Sequence, residues 1–384
     1  MTEPMTMIQE LKTRILNGGM ISREEALALY EAPLEELCSA ARQIQLHFCQ
    51  NRFDLCTIIN GKSGRCPENC RFCAQSAYSS SSAEEYPLLD ADTIVQEAGR
   101  NHRQGVPRFS IVTSGRQLND REVDRMCLAI QRIRKETGCL VCASFGLLNQ
   151  SQYEKLKEAG VTRIHNNLET SRSNFPNVCT THTFDQKLAA IKAAQAAGLT
   201  VCSGGIVGMG ETPEDQVDMA LSLRELGIRS VPVNMLNPIP GTPLGHLAPL
   251  TGDQMRRIVA VFRFLLPDAF IRLAGGRGLL PDKGRSCFLS GANAAISGDM
   301  LTTSGISTAL LRGKLRVTNK LTRGDEIVMN TNDFVSLSGD RLALRSIDNS
   351  DDYLWPEGIF NLAGHNFGEI IERLESLYGV KIVV

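Results

Sequence analysis

Eight short apolar segments alternate with amphipathic helical segments between residues 53 and 300, and this alternation constrains the fold more than any other feature. Strands that alternate with helices predict a parallel sheet, and eight such units predict a closed (β/α)8 barrel of the TIM type. A doubly wound open sheet is the alternative. The strand-like segments are FDLCTIIN (53–60), RFSIVTS (108–114), CLVCASF (139–145), RIHNNL (163–168), TVCSGGIVG (200–208), VPVNML (231–236), FIRLAG (270–275) and ANAAISGDM (292–300).

The segments on either side of the barrel have different patterns. Residues 1–50 carry apolar residues at helical spacing, and Ser22 followed by Glu25 predicts a capping box at a helix start. Residues 308–384 alternate apolar and polar residues between turns, which predicts antiparallel strands, and end with one amphipathic helix and a strand. We therefore expect an N-terminal helical segment (1–50), a barrel (51–307) and a small accessory β/α module (308–384).

Composition and charge exclude several classes of protein. The 384 residues include 41 Lys and Arg against 42 Asp and Glu, so no basic surface favours nucleic acid. There is no apolar run of about 18 residues for a transmembrane helix, and the first residues lack the apolar core of a signal peptide. We expect a cytoplasmic protein without nucleic-acid or membrane partners, whose 12 cysteines suit metal binding or catalysis better than disulfides.

Three cysteines follow the first strand in a C-x3-C-x2-C pattern: Cys66, Cys70 and Cys73. Zinc would need a fourth ligand, for which no second cysteine pair lies nearby. Iron–sulfur clusters are normally held by four thiolates, so three local thiolates favour a [4Fe–4S] cluster with one open iron. The surrounding glycine, proline and polar residues do not form a core pattern, which disfavours a purely structural role.

A C-x3-C-x2-C loop after the first strand of a barrel resembles the radical S-adenosylmethionine (SAM) superfamily, in which SAM is cleaved to a 5′-deoxyadenosyl radical. Within it, the chain resembles the biotin synthases over about residues 8–306. The stretches that carry this resemblance are NGKSGRCPENCRFCAQSA (60–77), HNNLETS (165–171), VCSGGIVGMGET (201–212), VPVNML (231–236), GTPL (241–244), IRLAGGR (271–277) and CFLSGANAAISGDMLTTSG (287–305).

The resemblance implies conversion of dethiobiotin to biotin by radical sulfur insertion, with SAM, a [4Fe–4S] cluster and an auxiliary iron–sulfur cluster. It also implies a homodimer and a flavodoxin- or ferredoxin-type electron donor. A relative in the same subgroup that inserts no sulfur, like the hydrogenase maturases or methylornithine synthase, is the alternative. A regulatory protein with an inactive barrel is disfavoured, because the cysteine triplet and the glycine-rich segment are intact.

The resemblance further implies a SAM site at the carboxyl ends of the strands, where barrel enzymes place their active sites. Phe72 would pack near the adenine. Asn167 and Glu169 would hold the ribose and neighbouring groups, although the family acid is commonly Asp, so we expect a shifted backbone at Glu169. Gly204 and Gly205 would let the backbone approach the adenosine closely.

Four residues would contact the substrate. Thr302 and Thr303 match the pair that receives the carboxylate tail of dethiobiotin, and His165 stands where the family usually has asparagine. Asn234 lies in an apolar strand, where a buried amide costs free energy unless it is hydrogen-bonded. Its partner is the ureido ring of dethiobiotin, the cofactor beside it or, alternatively, the backbone of the barrel.

The auxiliary cluster of the family, of [2Fe–2S] type or a variant here, is held by three cysteines on successive strands and one arginine. Cys142, Cys202 and Arg272 fall on matching positions. A cysteine in an apolar strand is more often a small core residue. Arg272 is the stronger indication, because an arginine is almost never buried without a partner.

The first auxiliary ligand position holds Ser110 instead of cysteine. Serine oxygen can bind iron, but thiolate is the softer and better ligand. The strand position favours Ser110, whereas ligand chemistry favours Cys179, which follows the fourth strand. Cys287 and Cys139 are the next candidates, so the fourth ligand stays open.

The C-terminal residues 308–384 resemble a different family, the FecR-type anti-sigma regulators, and share a Trp-x-x-Gly turn at Trp355 and Gly358. No catalytic residue is expected in this region. A family-specific extension that packs on the barrel is the alternative.

Overall fold

A computed structural model describes residues 6–103 and 105–297 in full and, beyond them, the backbone of five strands. The chain forms two compact units, Met1–Gly298 and Asp299–Val384. The N-terminal helices therefore belong to the same unit as the barrel.

Among the described residues of the first unit, nine parallel strands form one sheet that closes on itself. β1 pairs with β2 on one side and with β9 on the other, and β5 pairs with both β4 and β7. β5 and β6 are two halves of the predicted strand 200–208. The barrel therefore has eight strand positions, and the (β/α)8 prediction is confirmed. The strands are β1 (Asp54–Lys62), β2 (Arg108–Thr113), β3 (Leu140–Ser144), β4 (Val161–His165), β5 (Thr200–Cys202), β6 (Gly205–Val207), β7 (Ser230–Met235), β8 (Phe270–Leu273) and β9 (Ala294–Ile296).

Helices surround the sheet and bury their apolar faces against it. Several begin at capping boxes, including the predicted pair Ser22 and Glu25, which satisfy otherwise unpaired backbone N–H groups. None of the described helices is long and apolar enough to cross a bilayer. The helices are α1 (Met7–Leu16), α2 (Arg23–Ala28), α3 (Leu34–Cys49), α4 (Ala91–Arg103), α5 (Asp120–Thr137), α6 (Gln150–Ala159), α7 (Phe175–Val178), α8 (Phe184–Ala196), α9 (Pro213–Glu225), α10 (Gly252–Leu265) and α11 (Arg285–Leu289).

The fourth strand differs from the predicted segment 163–168, because it begins at Val161 and ends at His165. Beyond it, the N–H of Asn166 still donates to the carbonyl of Cys202, 3.1 Å away. The chain then turns, and Glu169 adopts a left-handed backbone conformation with φ of 71°. Left-handed backbone is uncommon for glutamate, and the spacing of apolar residues does not indicate it. The sequence pattern therefore could not predict this turn.

The described part of the second unit contains antiparallel strands, as the alternation predicts. β10, β13 and β14 form one sheet, and β11 pairs with β12. The predicted C-terminal helix and final strand lie outside the described residues. The strands are β10 (Ser307–Leu310), β11 (Leu315–Thr318), β12 (Glu326–Met329), β13 (Asp333–Ser338) and β14 (Arg341–Ser346).

Arg263 on α10 is fully buried and ties this helix to the sheet. Its guanidinium donates to the carbonyl oxygens of Gly291 and Ala269, at 2.8–2.9 Å, and to the side-chain oxygen of Asn293, at 2.9 Å. These acceptors flank β8 and β9, so one side chain fixes the helix against two strands.

We expect Arg263→Met to lower the free energy of unfolding by about 3 kcal/mol or more, because several buried carbonyl groups lose their donor. Arg132→Met is the matched control, since Arg132 forms half-exposed surface ion pairs that contribute little. Urea unfolding followed by circular dichroism measures both. Equal stability of the two variants would contradict this role of Arg263.

Candidate functional site

Two groups of cysteines occupy the barrel. We call Cys66, Cys70 and Cys73, on the loop after β1, the loop triplet. We call Cys56 on β1, Cys142 on β3 and Cys202 on β5 the inner sulfur group. The loop triplet is half-buried, whereas the inner sulfur group is buried.

The loop triplet is held by the backbone of its own loop. The N–H of Cys66 donates to the carbonyl of Gln75, and the N–H of Ala77 returns to the carbonyl of Cys66, each at 2.8 Å. The N–H of Cys73 donates to the carbonyl of Cys70 at 3.0 Å. Three thiols on one closed, partly exposed loop could hold three irons of a cubane cluster and leave the fourth open.

Phe72 lies in a small apolar cluster beside the loop triplet. Its ring packs against a cluster that includes Val178, Met209 and Leu236. Met209 belongs to the glycine-rich segment that the sequence assigns to SAM. The fold therefore brings the expected adenine contact and the expected SAM segment together.

Cys179 lies beside the loop triplet and outside the inner sulfur group. Its sulfur, the sulfur of Cys70 and a ring nitrogen of His182 are within 4.8 Å of one another. Hydrogen bonds from Cys70 and His182, opposed by burial, lower the pKa of Cys179 to about 3. His182 in turn contacts the carboxylate of Glu68. This position does not support Cys179 as the alternative auxiliary ligand.

Asn167, Glu169 and the two glycines come together next to the carboxyl end of β4. The side chain of Asn167 donates to the carboxylate of Glu169 at 3.5 Å. The backbone of Glu169 bonds the carbonyl of Gly204 and the N–H of Ile206 at 3.0 and 2.9 Å. Burial raises the pKa of Glu169 and a nearby Lys187 opposes it. Glu169 has a left-handed backbone conformation, and the backbone shift expected from its extra methylene stays a prediction.

The two glycines are required by the packing of the protein's own backbone. A Cβ at Gly204 would lie 2.0 Å from the carbonyl oxygen of Pro232, and one at Gly205 would lie 2.4 Å from that of Glu169. Both separations are far below contact distance. Strand packing is enough to require these glycines, and their close approach to the adenosine stays a prediction.

Asn234 on β7 bonds the barrel backbone, which was the alternative considered for it. Its amide nitrogen donates to the carbonyl of Gly205 at 3.0 Å, and its amide oxygen accepts from the N–H of Gly275 at 2.9 Å. Contact with the substrate or cofactor stays a prediction. Two other expected substrate residues, Thr302 and Thr303, lie outside the described residues, and contact of His165 with the substrate also stays a prediction.

Positively charged side chains surround the inner sulfur group. Arg272, which is fully buried, places Nη1 3.3 Å from Cys56 Sγ. Arg108 places Nη1 3.5 Å from Cys142 Sγ. Such neighbours favour the thiolate, which is the form of cysteine that binds metal. At Cys56 burial outweighs the neighbouring Arg272 and raises the pKa of the thiol to about 12.

His165 faces the inner sulfur group. Burial by itself lowers the pKa of His165. The neighbouring Cys202 and Cys142 raise it by more than burial lowers it, so the pKa lies at about 10. Conversely, burial raises the pKa of Cys202, and His165 with Arg272 lowers it to about 6. An imidazolium among thiolates is the state that this geometry favours.

Asp54, at the start of β1, anchors the arginines. Its Oδ2 accepts from Arg163 Nη1 at 2.7 Å and from Arg272 Nη2 at 2.6 Å. Burial raises the pKa of Asp54, but Arg272 and Arg163 lower it more, so the pKa lies below its usual value. One carboxylate thus fixes side chains from β4 and β8.

Several buried polar atoms around the inner sulfur group have no hydrogen-bond partner. They include Ser110 Oγ, His165 Nε2 and Arg272 Nε. Buried polar atoms in proteins nearly always have partners. The donor set of thiolates, imidazole and guanidinium, with these unpaired atoms, fits an iron–sulfur cluster bound inside the barrel.

Sequence reasoning missed Cys56 and Asp54. Both occur in the first strand, at alternate positions 54 and 56, so they share one face. A period-2 reading of that strand would have placed the cysteine beside an acid on the inner face.

Comparison with known proteins gives sequence matches over most of the chain. Residues 62–223 match the Radical SAM superfamily, and residues 232–316 match the Biotin and Thiamin Synthesis associated domain. The biotin synthase of Brachyspira hyodysenteriae is 59% identical over 300 residues, which cover 78% of this chain and 90% of that protein. The biotin synthase of Akkermansia muciniphila is 56% identical over 303 residues, which cover 79% and 94%.

Solved structures share the fold at low sequence identity. A crystal structure of methylornithine synthase has a TM-score of 0.68 at 19% identity, with 97% of each chain covered. The FeFe-hydrogenase maturase from Carboxydothermus hydrogenoformans has a TM-score of 0.64 at 19% identity, with 76% of this chain and 70% of that chain covered. At this identity the likeness concerns the fold alone.

We expect Asp54→Asn to lower the free energy of unfolding by about 3 kcal/mol near neutral pH, because Arg272 and Arg163 lose the charge that compensates them. Since the pKa of Asp54 lies below its usual value of 3.8, its contribution is complete above that pH and disappears as the pH falls through the lowered pKa. The two proteins should therefore converge in stability at acid pH.

Asp92→Asn is the control, since Asp92 is mostly exposed in its pair with Arg132. Urea unfolding between neutral and acid pH measures all three proteins. A pH-independent difference between wild type and Asp54→Asn would contradict the assignment of the effect to this charge.

Proposed function

The chain belongs to the biotin synthase family of radical SAM enzymes, and from this membership we propose that it converts dethiobiotin to biotin by inserting one sulfur atom between two unactivated carbons. The observation that carries the proposal is the pairing of two sulfur groups in one barrel. One group lies on a closed loop after β1, and the other lies within the barrel. An enzyme that cleaves SAM and also transfers sulfur needs both.

Cys66, Cys70 and Cys73 would hold a [4Fe–4S] cluster, and the inner residues Cys142, Cys202 and Arg272 would hold the auxiliary cluster. When bound, these clusters supply the electron that cleaves SAM and the sulfur that enters the product. The rest of the site belongs to the chain, whose side chains bind, orient and shield the reactants.

The residues around the loop triplet would bind SAM. The apolar cluster around Phe72 offers a surface on which the adenine could pack. Asn167 and Glu169 present an amide and a carboxylate that can hydrogen-bond the ribose hydroxyl groups. Their shared contact at 3.5 Å keeps both side chains on the same side of the turn after β4.

The chemistry of the substrate sets the remaining requirements. Biotin formation replaces two C–H bonds of dethiobiotin with two C–S bonds, so two hydrogen atoms leave and two SAM molecules are consumed. Thr302, Thr303 and Asn234 would hold the carboxylate tail and the ureido ring. We further propose a flavodoxin- or ferredoxin-type electron donor, a homodimer and a cytoplasmic location, which family membership supports.

Changing any one cysteine of the loop triplet to alanine should abolish 5′-deoxyadenosine formation, because three irons need three thiolates. Cys66→Ala is compared with Cys127→Ala, since Cys127 lies on α5 in the outer helical layer. Anaerobic reconstitution, followed by chromatography of the SAM products, gives the measurement. If Cys66→Ala still binds a cluster and still cleaves SAM, the loop triplet does not hold the cluster that cleaves SAM.

Measuring biotin as a product distinguishes the proposed reaction from that of a relative without sulfur transfer. The reconstituted wild type should yield both 5′-deoxyadenosine and biotin from dethiobiotin. Cleavage of SAM without biotin, in a protein that holds only about four irons, would favour the relative without sulfur transfer.

Deleting residues 317–384 should leave SAM cleavage and biotin formation intact, because the matched synthase domains end at residue 316. The measurement is the turnover of dethiobiotin by the shortened and the full chain under the same reconstitution. Loss of biotin formation, with the iron content unchanged, would show that this region takes part in the reaction.

A further inference from the structure

The auxiliary cluster of the family is expected to have three cysteine ligands and one arginine. This chain has a cysteine at only two of those three positions. Cys142, Cys202 and Arg272 occupy three of the four ligand positions, and Ser110 occupies the fourth. The inner sulfur group contains one more cysteine, Cys56, which this set does not use. Cys56 is fully buried on β1.

The side chain of Cys56 faces the interior of the barrel. Asp54 and Cys56 alternate along β1, so they share one face, and Asp54 reaches both Arg163 and Arg272 across the interior. Cys56 Sγ itself lies 3.3 Å from Arg272 Nη1. Arg272, which the family resemblance implies as a ligand, is therefore already in contact with Cys56 Sγ.

The strand register connects Cys56 with the other two sulfurs. Cys56 pairs with Arg108 on β2, and the Arg108 guanidinium lies 3.5 Å from Cys142 Sγ. Arg272 acts electrostatically on both Cys56 and Cys202. The three sulfurs thus surround one region that two arginines border.

Ser110 is the diagonal neighbour of Cys56. It pairs with Ile58 of β1, two residues beyond Cys56 on the same face. With strands about 4.8 Å apart and a rise of about 3.3 Å per residue, such neighbours are roughly 8 Å apart. A ligand moved from position 110 to position 56 therefore still faces the same space. Ser110 Oγ has no hydrogen-bond partner and faces this space, so it is the oxygen ligand that the test must distinguish from the Cys56 thiolate.

The other candidate cysteines lie elsewhere. Cys179 is beside Cys70 of the loop triplet. Cys139 lies before β3 and its sulfur contacts the carbonyl of Pro107 at 3.4 Å. Cys287 is on α11, in the helical layer.

We propose that Cys56, with Cys142 and Cys202, supplies the third thiolate of the auxiliary cluster, in place of residue 110. This restores a set of three thiolates and one arginine. Each thiol loses its proton when iron binds, and the neighbouring arginines offset the negative charge that results. The inference rests on the proposed function, because it presupposes an auxiliary cluster.

The test measures iron and sulfide per chain, together with the Mössbauer spectrum, after anaerobic reconstitution of the full chain. In Cys56→Ser and Cys56→Ala the auxiliary iron should be lost while the iron of the loop triplet remains. Ser110→Ala, Cys179→Ala and Cys139→Ser should each retain auxiliary iron. The same variants on a Cys66→Ala, Cys70→Ala, Cys73→Ala background give an independent count, since all bound iron there belongs to the auxiliary site.

A double variant tests the position of the thiolate directly. Cys56→Ser with Ser110→Cys moves the thiolate from β1 to β2 and should restore auxiliary iron that Cys56→Ser alone has lost. A general loss of folding would give no such rescue. Circular dichroism of each variant checks that it is folded.

Retention of full auxiliary iron by folded Cys56→Ser and Cys56→Ala would overturn the assignment, as would its loss in Ser110→Ala or Cys179→Ala alone. Failure of the double variant to rescue would also count against it. If the wild type itself holds only about four irons, the proposed function fails first. A wild type with both clusters, and unaffected Cys56 variants, refutes Cys56 alone.

Discussion

The ion-pair network of Asp54 is the constraint on which the inner part of this barrel depends. Three arginines enter the interior from β2, β4 and β8, and Arg272 is completely enclosed. A buried arginine without a compensating charge costs several kcal/mol. The carboxylate of Asp54 offsets that cost, and its short contact with Arg272 holds this guanidinium where it also meets Cys56 Sγ.

This electrostatic arrangement prepares the interior for metal. Arginines and an imidazolium favour thiolates at Cys142 and Cys202, and thiolate is the form that binds iron. The thiols of the loop triplet are placed for metal binding in a different way. They are half-buried on a loop that its own backbone hydrogen bonds close, so the protein can surround a cluster without enclosing every face of it.

Much of the fold and part of the candidate site could be predicted from the sequence. The eight-unit alternation was sufficient for the barrel, because each unit must bury a strand between helices. The placement of Cys142, Cys202 and Arg272 on one inner face followed from matched positions. The break between β5 and β6, the turn at Glu169 and the choice among the possible partners of Asn234 could not be predicted, since each depends on a neighbouring strand.

The sequence by itself determined the local chemistry: three thiols spaced on one loop, helix starts at their capping boxes, and strands whose alternate residues face inward. Only the tertiary structure decided which distant cysteines share a space. Cys179 follows β4 but approaches Cys70, while Cys56 opposes Arg272 from more than two hundred residues away. Closure of the sheet pairs β1 with both β2 and β9, and this ring geometry, which no local pattern contains, brings Cys56 to Arg272.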